Sequence, residues 1–215
     1  MTSTFIDRRD AGRELAALLS AYAKRDDVIV LGLPRGGVPV AFEVASALDA
    51  ALDVLVVRKL GVPWQPELAM GAIASGNAFY LDERIVDYAG VSKTALDEVI
   101  ANERAELQRR ETLYRGSRPP LDVARKVAII VDDGMATGAT MKAAAISLRR
   151  AHAPPASIVA AVPVAPLDSE ARVAGVVDEF VCVLRPYQYL GVGQFYLDFD
   201  QTSDDEVRAL LSQRH

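Results

Sequence analysis

The chain has 215 residues and a mass of 23.2 kDa, which fits one α/β domain carrying an insertion or a small subdomain. Its 51% hydrophobic content supports a sizeable core, and its net charge of −5 with a pI near 5.1 argues against non-specific nucleic-acid binding while admitting a small anion at a local positive site. No apolar stretch reaches the roughly 18 residues of a membrane span, the N-terminus lacks a signal-peptide core, and a single cysteine excludes an intrachain disulfide, so a cytoplasmic protein without membrane attachment is expected.

The first element is a helix in residues 8–22, where Leu15, Leu18, Leu19 and Tyr22 fall at helical spacing. Strand one is 28–33 and ends in Pro34-Arg35-Gly36-Gly37; a helix follows over 38–48. Strand two is 52–57 and ends in Arg58-Lys59. After Gly61, Pro63 and Pro66, residues 68–74 and 78–81 read as short strands around the turn Ser75-Gly76-Asn77. Residues 92–114 form the longest helical pattern, with an apolar stripe of Leu96, Val99, Ile100, Leu107 and Leu113 and Ser92 as N-cap. Gly116-Ser117-Arg118-Pro119-Pro120 breaks it.

A strand at 127–131 then runs into Asp132-Asp133, a loop of small residues and an alanine-rich helix over 141–150. Further on come a strand at 157–162, a short helix at 167–174 and a strand at 179–184. Cys182 sits in that last run and reads as a small buried hydrophobe. The segment 185–200 is aromatic and irregular, and 203–211 is a closing helix capped by Ser203. His152 and His215 have no metal-ligand partners nearby in sequence and read as solvent-facing; Trp64, in a Pro-rich loop, reads as a packing residue, with a lid anchor as the alternative. This alternation of strands and helices implies a parallel sheet covered on both faces.

The run from Val127 to Thr140 carries the most chemistry. Ligands of open α/β sheets bind at the carboxyl ends of strands. A helix N-terminus fed by small residues presents free N–H groups and a positive dipole end to a phosphate. Two adjacent carboxylates beside it suit the hydroxyls of a sugar phosphate. Gly32-Leu33-Pro34-Arg35-Gly36-Gly37 is a second loop of this kind, with glycines that let backbone donors approach an anion and an arginine fork suited to phosphate.

The pattern of apolar strand, paired acids, small residues and Thr-Gly-x-Thr resembles the phosphoribosylpyrophosphate (PRPP) signature of type I phosphoribosyltransferases. The resemblance implies a three-layer α/β fold whose mostly parallel sheet has one antiparallel edge strand after strand two, for which 68–74 is the candidate. It also implies one domain over 1–215, with 61–120 as an inserted lid or helical lobe and 185–215 as a C-terminal hood and closing helix.

By the same resemblance, Asp132 and Asp133 hold the ribose hydroxyls. Gly134, Met135, Ala136, Thr137, Gly138, Ala139 and Thr140 cradle the 5′-phosphate. Pro34, Arg35, Gly36 and Gly37 form the pyrophosphate loop, often with a cis peptide, and Arg58 and Lys59 face pyrophosphate. Strand alternation sends those two to opposite faces and favours Lys59. Catalysis would rest on Asp132, Asp133, Arg35 and Lys59. Mg²⁺ would be bound through PRPP itself, with Asp132 and Asp133 reaching it through water. Tyr187, Phe195, Tyr196 and Glu67 are hood or lid candidates for a flat acceptor, with a packed C-terminal segment the equal alternative for the aromatics.

The implied reaction moves a phosphoribosyl group from PRPP to a nitrogenous acceptor, with a nucleobase expected, and releases pyrophosphate. The rival readings are a non-catalytic sensor of PRPP or a nucleotide, and a phosphate-releasing hydrolase. The stretch before Val28 is too short for the winged helix of regulatory members, and the acidic balance disfavours nucleic acid as a partner. Family members are commonly dimers, and the helix from Ser92 could supply a surface.

Overall fold

The computed structural model describes residues 4–76, 78–116 and 118–214. The readings made for Asn77, Ser117 and His215 lie outside the described residues, as does the side chain of Glu67. Eight strands and seven α-helices are described, in the order α1 (Arg8–Leu18), β1 (Val28–Gly32), α2 (Gly37–Leu48), β2 (Ala51–Val54), β3 (Val57–Val62), β4 (Gln65–Ala74), β5 (Ala78–Leu81), α3 (Glu83–Ala89), α4 (Lys93–Arg115), β6 (Val127–Val131), α5 (Ala139–Arg149), β7 (Ser157–Val164), α6 (Ser169–Val173), β8 (Glu179–Leu184) and α7 (Asp204–Ser212).

Five strands form a parallel sheet in the order β2-β1-β6-β7-β8. All five residues of β1 and all five of β6 are buried, as a parallel sheet covered on both faces requires. Alternate side chains serve alternate faces. Val28, Val30, Ile129 and Val131 pack with Leu15 of α1 and Val44 of α2, while Ile29, Leu31, Ala128 and Ile130 pack with Met141 and Ala145 of α5. Among the described residues no helix is long and apolar enough to cross a membrane.

Strand two departs from expectation. The apolar run from Leu52 reads as one strand, but β2 ends at Val54 and β3 starts at Val57. The break is made by distant partners. Leu55 N–H donates to Gly32 O at 3.0 Å, whereas Val56 N–H donates to Ser75 Oγ at 3.1 Å and Ser75 N–H returns to Val56 O at 3.0 Å. The chain leaves β1 at that step and joins a second sheet, the antiparallel β3-β4-β5. The antiparallel strand expected at 68–74 therefore exists as β4, but in this separate sheet rather than at the edge of the parallel one. The small sheet packs against α4 on one side and α5 on the other.

Helix ends follow local chemistry. Ser92 Oγ accepts from Ala95 N–H at 3.2 Å, and Ser203 Oγ from Glu206 N–H at 3.1 Å. Helix α3 is absent from the sequence reading although its signals are present: Asp82 caps it, and Gly90 closes it in the left-handed region at φ 65°.

Candidate functional site

The parallel register places the two informative loops side by side. Gly32 pairs with Val131, so residues 33–37 and 132–138 leave the sheet together at its carboxyl edge, and Leu33 N–H donates to Val131 O at 2.8 Å. The glycines after Arg35 are required by that approach. A Cβ on Gly37 would lie 2.6 Å from Val131 O, and one on Gly36 only 2.0 Å from Asp133 Oδ2. The Pro34–Arg35 peptide is cis, as the resemblance implies. The N–H groups of Arg35 and Gly36 have no acceptor among the described residues, whereas that of Gly37 is used by Leu33 O.

The second loop is braced from outside and open within. Met135 N–H donates to Val164 O at 2.9 Å, Arg172 donates to Ala136 O at 2.6 Å, and the Tyr196 hydroxyl donates to Asp133 O at 2.5 Å. The N–H groups of Ala136, Thr137, Gly138 and Thr140 have no acceptor among the described residues. Gly138 turns the chain at φ 77° into α5. Together they surround a cavity of about 170 Å³ lined by Asp132, Gly134, residues 135–141 and Val192. One expected donor drops out: the N–H of Met135 is spent on β7, and its side chain is in the core. The N–H of Ala139 is taken up at 3.3 Å by Thr137 Oγ1.

The two acids are not equivalent. Burial pushes the Asp132 carboxyl well above the ordinary range, and the adjacent Asp133 adds to that. Burial also raises Asp133, but Arg8 opposes it through an ion pair of 2.9 Å. Arg8 belongs to α1, donates to Asp200 O at 2.6 Å and lies 4.1 Å over the Phe199 ring. It was missed in the sequence, where a lone arginine at a helix start carries no signal. Among the described residues, Asp132 Oδ1 accepts only the N–H of its neighbour, Asp133, at 2.9 Å.

Other expected residues are placed less centrally. The Arg35 guanidinium lies 4.0 Å from Asp204 at the start of α7, turned toward that carboxylate. Arg58 and Lys59 do not end a strand of the parallel sheet; they lie within β3. Arg58 is tied to Glu103 of α4 at 2.6 Å, while Lys59 is exposed and has no partner among the described residues; both line a cavity of about 510 Å³ with Asn102 and Thr140.

The hood candidates divide in the same way. Tyr187 is 94% exposed. Phe195 and Tyr196 are core residues, 1% and 6% exposed, packed with Phe5 and Val164, and so are removed from any stacking role. The aromatic missed there is Tyr189, whose buried hydroxyl has no hydrogen-bond partner among the described residues and whose ring stacks on Phe195 at 5.7 Å. Burial and the nearby acids push its hydroxyl up to about 12. Glu67 lies in β4. Trp64 does not pack as expected but stands 61% exposed between β3 and β4.

Comparison with known proteins agrees with this geometry. The family model described as "Phosphoribosyl transferase domain" matches residues 6–199. Two Mycobacterium tuberculosis proteins, from strains CDC 1551 / Oshkosh and ATCC 25618 / H37Rv and provisionally named phosphoribosyl transferases, are each 51% identical over 211 residues. That alignment takes in 98% of this chain and 47% of theirs, so the chain spans about half the length of the curated relatives it matches. The crystal structure of TT1426 from Thermus thermophilus superposes with a TM-score of 0.86 at 38% identity, covering 98% of this chain and 99% of that one. A parallel sheet with a glycine loop and an acid-tipped loop at its carboxyl edge, matched by a family model over most of its length, makes this chain a member of the phosphoribosyl transferase domain family.

Proposed function

We propose that this chain transfers a phosphoribosyl group from PRPP to a nitrogenous acceptor, a nucleobase by preference, and releases pyrophosphate. The observation that carries the reading is the juxtaposition of two anion-ready loops with the acid end of β6 between them. PRPP has that shape: a phosphate at one end, a diphosphate at the other and a diol between. The open N–H groups of Ala136, Thr137, Gly138 and Thr140 suit the 5′-phosphate. Those of Arg35 and Gly36 suit the diphosphate, and the β6 carboxylates suit the ribose hydroxyls.

Displacement at ribose C1 develops positive charge on the ring and negative charge on the departing pyrophosphate. The acid end of β6 offsets the first. Backbone donors at residues 35–36, with Arg35 and Lys59 swung inward, stabilise the second. For Arg35 that means leaving Asp204, and for Lys59 it means crossing a cavity that already reaches Thr140. Mg²⁺ fits here as a cation carried by the PRPP oxygens and water, since Asp132 offers a hard oxygen donor at the loop cavity; it would neutralise the diphosphate.

The test combines calorimetric titration with Mg²⁺-PRPP and measurement of pyrophosphate release across a broad panel of bases. Binding followed by release with some bases supports the transferase. Removing Arg35 or Lys59 should then cost about 10²–10³ in turnover, with much less effect on nucleoside-monophosphate binding, because a monophosphate lacks the group they serve. Tight binding with no release and no pyrophosphate exchange would identify a sensor instead.

A further inference from the structure

We propose that Arg172, on α6, is a positioning residue for the phosphate-type loop: its guanidinium holds the Ala136 carbonyl on the outer side, and the shared peptide plane thereby turns the Thr137 N–H toward the cavity. The ligand class served is a phosphate monoester. Its assignment to PRPP rests on the reading above; the positioning half stands on geometry alone.

The segment after β7 grips the loop at two successive residues. Val164 O, at the end of β7, accepts the Met135 N–H at 2.9 Å. Arg172 Nη1 donates to Ala136 O at 2.6 Å. Arg172 is itself held, because its Nε and Nη2 both donate to Asp168 Oδ2, at 3.0 and 2.9 Å. The acid stands four residues before the base, the order a helix favours. The stem of Arg172 lies against the turn into α5, where a Cβ on Gly138 would be 3.6 Å from Arg172 Cβ. Arg172 and Ala136 are 36 positions apart, so no local pattern in the sequence marks the pair.

In a planar trans peptide the carbonyl of one residue and the N–H of the next point in opposite directions. The Ala136–Thr137 peptide is trans. With Ala136 O fixed on Arg172, the Thr137 N–H is therefore directed away from α6. That N–H has no acceptor among the described residues. The 170 Å³ cavity is lined by Ala136, Thr137 and Gly138 but not by Arg172, which places the arginine behind the loop rather than in the anion space. Its charge is offset by Asp168, so its contribution is the hydrogen bond it donates. Without that bond the exposed peptide can rotate and present its carbonyl oxygen to the phosphate, which a phosphate repels. Holding the donor in place before the ligand arrives removes that ordering cost from binding.

The experiment titrates ribose 5-phosphate and Mg²⁺-PRPP by calorimetry into wild type, Arg172→Met, Arg172→Lys and Asp168→Asn, with turnover measured on any base that supports pyrophosphate release. Arg172→Met keeps the apolar stem and loses the donor. It should weaken ribose 5-phosphate about tenfold, the scale of one charge-assisted hydrogen bond. The KM for PRPP should rise by a similar factor with kcat within about twofold, because the 5′-phosphate is bound equally before and during the reaction. Arg172→Lys should restore most of the affinity. Asp168→Asn should not tighten binding, since the arginine acts through the loop and not by its charge. The Arg172 side chain is 35% exposed, so the melting temperature should move by no more than about 2 °C.

Unchanged ribose 5-phosphate affinity in Arg172→Met would overturn the proposal. So would a lysine variant no better than the methionine one, a fall in kcat as large as the rise in KM, or tighter binding in Asp168→Asn, which would mark a role by charge. A wild type that binds ribose 5-phosphate but not PRPP would overturn the transferase reading alone, and the ribose 5-phosphate titrations would still decide Arg172. A wild type that binds neither would overturn both.

Discussion

At the residue scale the acids set the pH behaviour. A carboxyl whose folded pKa is raised binds its proton in the native state at pH values where the unfolded chain has lost it. Stability therefore falls as pH rises from the ordinary carboxylate range through the raised native value. Asp132→Asn removes that penalty. The variant should exceed wild type in stability at neutral pH, and the gap should close as pH falls into the ordinary carboxylate range. Urea unfolding across pH checks this; a constant gap would place the benefit outside ionisation. Cys182 gives a second residue-scale test. Burial pushes its thiol up to about 11, and its Sγ donates to Leu184 O at 3.2 Å. A thiol reagent at about pH 7.5 should label it far more slowly in native than in denatured protein. Labelling at equal rates would contradict its placement in β8.

At the element scale the long helix is fastened at its C-terminal end. Arg115 Nε and Nη2 reach the two oxygens of Asp53 on β2 at 3.1 and 2.9 Å, with the side chains only 9% and 13% exposed. Arg118 also approaches Asp53, at 3.7 Å. Asp53→Ala would strand buried cationic charge beside β2 and should cost about 3 kcal/mol. Urea denaturation measures this directly, and hydrogen exchange in α4 should rise with it. A cost below about 1 kcal/mol would mean that solvent reaches the pair freely. The helix itself was legible from Ser92 and the apolar stripe behind it, because capping and periodicity are local. The end of strand two was not. Leu52 to Val57 is one apolar run, and only bonds to Gly32 and Ser75 divide it between two sheets.

At the scale of the whole molecule, a ligand spanning both loops would tie β1, α2, β6 and α5 together. Saturation at about 100 times its dissociation constant should add about 2.7 kcal/mol, or roughly 5–10 °C in melting temperature for a chain of this size. Calorimetry with and without Mg²⁺-PRPP reads that shift, and no change at saturating ligand would speak against binding to the native fold. The alternating architecture, both loops and the acid pair are legible in the sequence, because strand burial, glycine turns and helix N-termini are written in short runs of residues. Contacts between segments far apart in the chain come from folding in three dimensions. Arg8 and Asp133 lie 125 positions apart and meet because the N-terminal end of α1 lies at the carboxyl edge of the sheet. Tyr196 and Phe195 look alike in sequence whether they stack on a ligand or fill the core, and packing against Phe5 chose the core. Lys59 left the edge of the parallel sheet when β3 joined the second one. Burial, charge pairing and sheet membership depend on which surfaces the folded chain brings together, and no local pattern encodes that.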